Sequence, residues 1–362
     1  MKFVKTENLT VGMRIARPIY NKKGVLLYER DSKLTSQSLG SIKNFGLIGI
    51  FVLDPAEPCP PMTEEDMEFE RFQTVQVFGL EEELKDIVTL KRTKKLDIIV
   101  AQILKNYGHL NHKINFIQNL RSSEDFVYKH SLNVAILSAM ICHRMNISVE
   151  ETNEIIIAAL THDIGKLSVN ESSLRDLNEE EVEKAYIQAQ INGFNVLENV
   201  FSATPNIKRI CAQAQKLFAD YKDGLLSNMK VVLGCKVLLV AEVFDQMTAI
   251  SLIKEPSSEV EALRYLLDNP SIFDPKAVRA FVDSINFLNP GTGVELTSGE
   301  TALVISVNPE NVLRPMVLCF GSNEIIDLSN RRLYDDLEIK DILKTMDSRH
   351  KIDKSTLSKF GL

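Results

Sequence analysis

The spacing of apolar residues changes character along the chain. In residues 1–54 apolar positions come in short runs. Leu9–Ala16, Gly24–Tyr28 and Ile48–Leu53 predict strands, with a turn at Asn21-Lys22-Lys23-Gly24 between the first two. Thr35 predicts the cap of a helix carrying Leu39, Ile42, Phe45 and Leu47. Pro55, Pro58, Pro60 and Pro61 then fix the backbone in non-helical conformations and predict a linker. From residue 64 the period becomes helical. Leu84, Ile87 and Val88 begin one stripe, and Leu96, Ile99, Val100, Ile103 and Leu104 make another. Helices of this kind are expected to pack on a neighbouring domain or on a second copy of themselves, as in a homodimer.

The helical pattern continues from Glu124 to Asn289, with Val134, Leu137, Ile141 and Met145 on one stripe. Residues 291–320 return to short apolar runs broken by Gly and Pro, which predicts a small antiparallel sheet. The expected organisation is therefore a mixed α/β module at 1–54 and a linker with a helical connector at 55–121. A mainly α domain at 122–290, a β-rich extension at 291–330 and a helical or partly disordered tail at 331–362 follow.

One stretch stands out, Thr161-His162-Asp163-Ile164-Gly165-Lys166. It follows the apolar run Ile155, Ile156, Ala158, Ala159 and Leu160. Burying an imidazole and a carboxylate costs several kcal/mol unless something pairs them. A divalent cation is one such partner, since both are ordinary ligands for it. If the helix persists, Lys166 shares a face with His162 and could hold an anion beside the metal. His130 starts a core-facing helix; buried, it needs either a ligand or a backbone carbonyl. Glu242 interrupts another apolar run, Val231–Val243, and needs a partner too. Asp245, three residues on, is expected to support the fold. His109 and His112 sit three apart without a carboxylate cluster, a poor pattern for a metal.

Four stretches together resemble the HD superfamily of metal-dependent phosphohydrolases, and within it the HD-GYP family of cyclic di-GMP phosphodiesterases. They are Tyr128-Lys129-His130-Ser131-Leu132-Asn133-Val134-Ala135, His162-Asp163-Ile164-Gly165-Lys166, Leu233–Asp245, and Asn308–Pro315. The resemblance runs from about Ser122 to Phe320 and implies an HD-type helical bundle. It also implies a divalent metal (Mn, Fe or Mg) held by His130, His162, Asp163 and Glu242, with Asp163 and Lys166 as catalytic groups. The family usually has aspartate where this chain has Glu242, one carbon longer. Asn308–Pro315 is expected to be a structural turn.

The same resemblance marks losses. HD-GYP enzymes set two or three metals side by side with further histidines. This chain has six histidines, and none lies between Asp163 and Arg349. The family's later histidines fall at Ala189, Gln213 and Ala214, its Gly-Tyr-Pro signature falls at Tyr221-Lys222-Asp223, and three residues near Asp176 are deleted. The expected cofactor is thus one divalent ion or none. The leading expectation is a degenerate signalling protein that binds a cyclic dinucleotide, another phosphate ester or a protein partner. The alternatives are a one-metal phosphohydrolase and an active cyclic di-GMP phosphodiesterase.

Bulk properties refine this only slightly. A formal net charge of -7 argues against a nucleic-acid polymer as general partner. Five dispersed cysteines without a CxxC pair give neither a zinc motif nor a disulfide framework, which suits a cytoplasmic protein. No signal peptide or membrane-length apolar run is read.

Overall fold

The computed structural model describes residues 2–21, 23–45, 47, 49–53, 62–118, 121, 125–169, 177–222, 230–249 and 256–343. The expected linker at 55–61, Lys22 of the predicted turn, and most of the tail lie outside them.

The N-terminal module has its own small core of Leu9, Ile15, Ile19, Leu34, Ile42, Ile50 and Val52. Strand β5 (Gly49–Leu53) is its centre, flanked antiparallel by β1 (Lys2–Lys5) and β2 (Arg14–Ile15). The predicted strand Leu9–Ala16 is thus shorter, and β1 was not read from the sequence. A small ribbon, β3 (Ile19–Tyr20) with β4 (Leu26–Tyr28), turns at Gly24, whose φ of 72° suits glycine. Helix α1 (Ser36–Asn44) is capped by Thr35, whose side chain accepts from the Ser38 amide while Ser38 reciprocates.

Helix α2 (Glu64–Leu90) starts with a second capping box, Thr63 with Asp66. It ends at Lys91 in the left-handed region. Glu83, 1% exposed, accepts from the amides of Lys94 (2.7 Å) and Lys95 (2.8 Å) and so fixes the turn into α3 (Leu96–Tyr107). The expected helical connector stops there; residues 108–118 run as loop, with Ile114 bridged to Ile285.

The helical body comprises α4 (Phe126–Arg144), α5 (Val149–Thr161), a 3-10 turn (Ile164–Ser168), α6 (Glu179–Val200), α7 (Asn206–Lys222) and α8 (Leu233–Thr248). Two shorter helices, α9 (Glu259–Asp268) and α10 (Pro275–Val282), complete it. α4 and α8 are buried almost all round, which is why their apolar pattern is nearly continuous rather than striped. One core spans α2 to α10 and the inner face of the C-terminal sheet.

That sheet has five antiparallel strands in the order β10-β6-β7-β8-β9: β6 (Gly293–Leu296), β7 (Thr301–Ser306), β8 (Met316–Cys319), β9 (Ile325–Asp327) and β10 (Ile339–Ile342). The tail expectation needs correction. Within 331–343 only Arg331–Tyr334 is helical (α11), and β10 pairs with β6. Buried Ile339 supplies the reason, because it gains a place in the core by joining the sheet. Asn308–Pro315 is a turn, its Asn308 Oδ1 accepting from the amides of Glu310 and Asn311.

Candidate metal centre

Three of the four expected ligands converge. His130 comes from the first turns of α4, His162 from the end of α5, and Asp163 from the residue after it. His130, His162 and Asp163 each offer a donor atom within 4.8 Å of the others, the only such group of histidine, cysteine and acidic side chains among the described residues.

The tautomers follow from the partners. His130 Nδ1 lies 2.6 Å from Asp245 Oδ2, and His162 Nδ1 lies 2.8 Å from the Ala159 carbonyl oxygen. With the Asp245 carboxylate ionised, both oxygens can only accept, so both Nδ1 atoms carry the proton. Each Nε2 then presents a lone pair, and the two face each other at 3.2 Å. Asp163 Oδ2 is 3.7 Å from both. Two lone pairs and a carboxylate pointed at one spot repel unless something positive lies between them. Donors about 2.1 Å from one cation are about 3.0–3.4 Å apart at octahedral to tetrahedral angles. The 3.2 Å between the imidazoles lies in that range and the 3.7 Å from each to Asp163 is a little over it, so the donor set suits one divalent ion after a small inward movement of Asp163.

Asp245 makes this possible. It is fully buried, accepts two contacts from Arg121 Nη2 (2.8 and 2.7 Å), one from Asn133 Nδ2 (2.8 Å) and the His130 proton. Asn133 Oδ1 in turn accepts from Gln73 of α2 (2.8 Å), and Gln118 accepts from Asn133 and Arg121. Burial alone would raise the Asp245 carboxyl, but Arg121 and then His130 hold it well below the usual carboxylate range. The sequence reading gave Asp245 a supporting role in the fold. It supports the fold and also orients the His130 ring. The available signal was Asn133 and Asp245 inside apolar helices, each three residues from a candidate ligand.

Lys166 is placed differently from the expectation. α5 ends at Thr161, and the chain tightens into a 3-10 turn with three residues per turn. Lys166 therefore falls over Asp163, not His162, and its Nζ donates to Asp163 Oδ2 at 2.6 Å. Burial would raise the Asp163 carboxyl, but Lys166, His162 and His130 hold it well down. Gly165 lets the turn press on α6, since a Cβ there would stand 2.0 Å from the Ala189 carbonyl oxygen.

Glu242 stands apart from the group. It is half-buried on α8, one turn before Asp245, and accepts from Gln246 Nε2 at 3.0 Å. Its charge reaches Lys166, whose proton it helps Asp163 to hold against the effect of burial. At the positions of the family's later histidines, Ala189 and Ala214 are buried. Gln213 is engaged elsewhere, its Oε1 accepting from the Val232 amide (2.9 Å) and its Nε2 donating to the Lys230 carbonyl. The side chains of Tyr221-Lys222-Asp223, and the region near Asp176, lie outside the described residues. His112 pairs with Glu65 at 2.7 Å and His109 lies against the Leu104 carbonyl; both are exposed.

Residues 127–224 match the HD domain family model. The chain is 26% identical over 241 residues to the cyclic di-GMP phosphodiesterase PA4108 of Pseudomonas aeruginosa, covering 65% of this chain and 57% of the relative. It is 27% identical over 153 residues to the cyclic di-GMP phosphodiesterase response regulator RpfG of Xanthomonas campestris, covering 40% of each. The chain thus spans about half the length of these curated relatives. Among solved structures, Bd1817, an HDG"Y"P protein from Bdellovibrio bacteriovorus, aligns with a TM-score of 0.44 at 15% identity, over 78% of this chain and 98% of that one. Residues 127–224 are thus similar to an HD domain, with a paired histidine and aspartate in a helical core. The resemblance to the HD-GYP family read from the sequence is in keeping with these similarities. No helix among the described residues is long and apolar enough to cross a membrane.

Proposed function

We propose that this chain is a degenerate HD-GYP signalling protein. It holds a single divalent cation at His130, His162 and Asp163 and has lost, or strongly reduced, cyclic di-GMP phosphodiesterase activity. It acts by binding a cyclic dinucleotide or a protein partner in the cytoplasm. The observation that carries the reading is the contrast between one finished donor group and the alanines and engaged glutamine where further ligands are needed. A bound divalent cation supplies Lewis acidity toward a phosphate ester. The chain's own contribution is to hold both imidazoles as acceptors, through Asp245 and the Ala159 carbonyl, and to keep Asp163 ionised.

A second reading, a one-metal phosphohydrolase, is favoured by Glu242 and Lys166. Lys166 sets an ammonium on Asp163, and the Glu242 carboxylate, though apart from the donors, acts on that ammonium through its charge. One experiment separates the two: metal analysis and a cyclic di-GMP hydrolysis assay on the same sample, for wild type and His162→Ala. The degenerate reading expects about one ion per chain, lost in the variant, and no turnover. Turnover abolished by His162→Ala overturns it in favour of an enzyme. Absence of any bound metal in manganese-loaded wild type overturns the cation site itself.

A further inference from the structure

A second charged feature lies at the other end of α4. His130 and Arg144 are separated by nearly the whole helix, about 21 Å at 1.5 Å per residue. There the end of α4, the loop after α3 and the start of α10 enclose an open cleft of about 840 Å³. Four cations line it, Lys113, Arg144, Lys276 and Arg279, against one carboxylate, Asp283. Asp283 is already held by Arg279 at 2.9 Å. Lys113 and Lys276 have no ion pair among the described residues, and Arg144 Nε is buried without a hydrogen-bond partner. Such a concentration of positive charge is unexpected in a chain of net charge -7.

The cations also face one another. Lys276 and Arg279 lie three residues apart on α10 and so share a side of it. Burial lowers the Lys113 ammonium; Asp283 opposes this, while Arg279 and Arg144 lower it further. Like charges held this close repel, and among the described residues lining the cleft Asp283 is the one acid. A group with several negative oxygens in the cleft relieves that repulsion. The volume is in the range of small-molecule sites.

We propose that this cleft binds a phosphate-bearing small molecule, at a site separate from the metal centre. The two walls, Lys113 with Arg144 and Lys276 with Arg279, suit a ligand with charge on both sides, such as a diphosphate. The proposal does not depend on whether the metal centre is catalytic.

Calorimetric titration of the full chain with inorganic pyrophosphate at low ionic strength, without added divalent cation, tests it. Wild type binds, and added salt weakens the binding because exposed charges are screened. A Lys113→Gln/Lys276→Gln double variant binds at least about tenfold more weakly, the loss of roughly 1.4 kcal/mol. Lys276→Glu alone, at an exposed position, weakens it as well, which guards against misfolding of the double variant. His162→Ala leaves binding unchanged. No pyrophosphate binding by wild type overturns the proposal. So does binding that survives both lysine variants, or that disappears in His162→Ala, which places the anion at the metal centre instead.

Discussion

Asp245→Asn tests the buried array behind His130. The substitution keeps the shape and removes one negative charge. Arg121 stays fully buried, and the new amide nitrogen, a donor, must face either Arg121, Asn133 or the His130 Nδ1 proton. Breaking a buried ion pair from one side costs about 3–5 kcal/mol, a large share of a typical stability of about 5–15 kcal/mol. The site changes too. Without a carboxylate to accept from Nδ1, the His130 proton can move to Nε2 and block the lone pair meant for the cation. Loss of such an outer partner weakens metal binding about 10–100-fold. Urea unfolding at neutral pH and manganese titration measure the two effects. Replacing the pair with apolar groups, Arg121→Met with Asp245→Leu, is expected to recover part of the stability but not the affinity. A single variant within about 1 kcal/mol of wild type and with unchanged manganese affinity refutes the reasoning.

Further outcomes are expected. Glu70 of α2 is raised to about 7, chiefly because burial strips water from its carboxylate; Arg17 offsets this in part and Asp66 adds to it. A raised carboxyl favours the folded state while protonated. Stability therefore falls as pH rises from its ordinary 4.5 to about 7. The loss amounts to up to about 3 kcal/mol, and Glu70→Gln flattens that slope in urea melts at successive pH values. Gly165→Ala forces the 3-10 turn off α6, because the new Cβ meets the Ala189 carbonyl oxygen at 2.0 Å. A loss of about 1–3 kcal/mol is expected in thermal unfolding. Glu83→Ala leaves the part-buried amides of Lys94 and Lys95 without their acceptor and costs about 1–2 kcal/mol in the same measurement. An effect below about 0.5 kcal/mol counts against that role for Glu83.

By itself the sequence determined the helical class, the sheet after residue 290 and the positions of His130, His162 and Asp163. These rest on local chemistry, because apolar periodicity sets an element's type and a polar residue within an apolar run marks a need for a partner. Thr35 was legible for the same reason, since a cap bonds only to its own helix. Tertiary structure decided the rest. Whether Lys166 meets His162 or Asp163 depends on a change from α to 3-10 geometry, made where Gly165 packs on a helix that begins 14 residues later. Asp245 reaches His130 across 115 positions, and Gln73 joins them from α2. No spacing rule carries contacts of that range. Strand β10 depended likewise on a distant edge, since Ile339 is buried only once β6 is there to receive it.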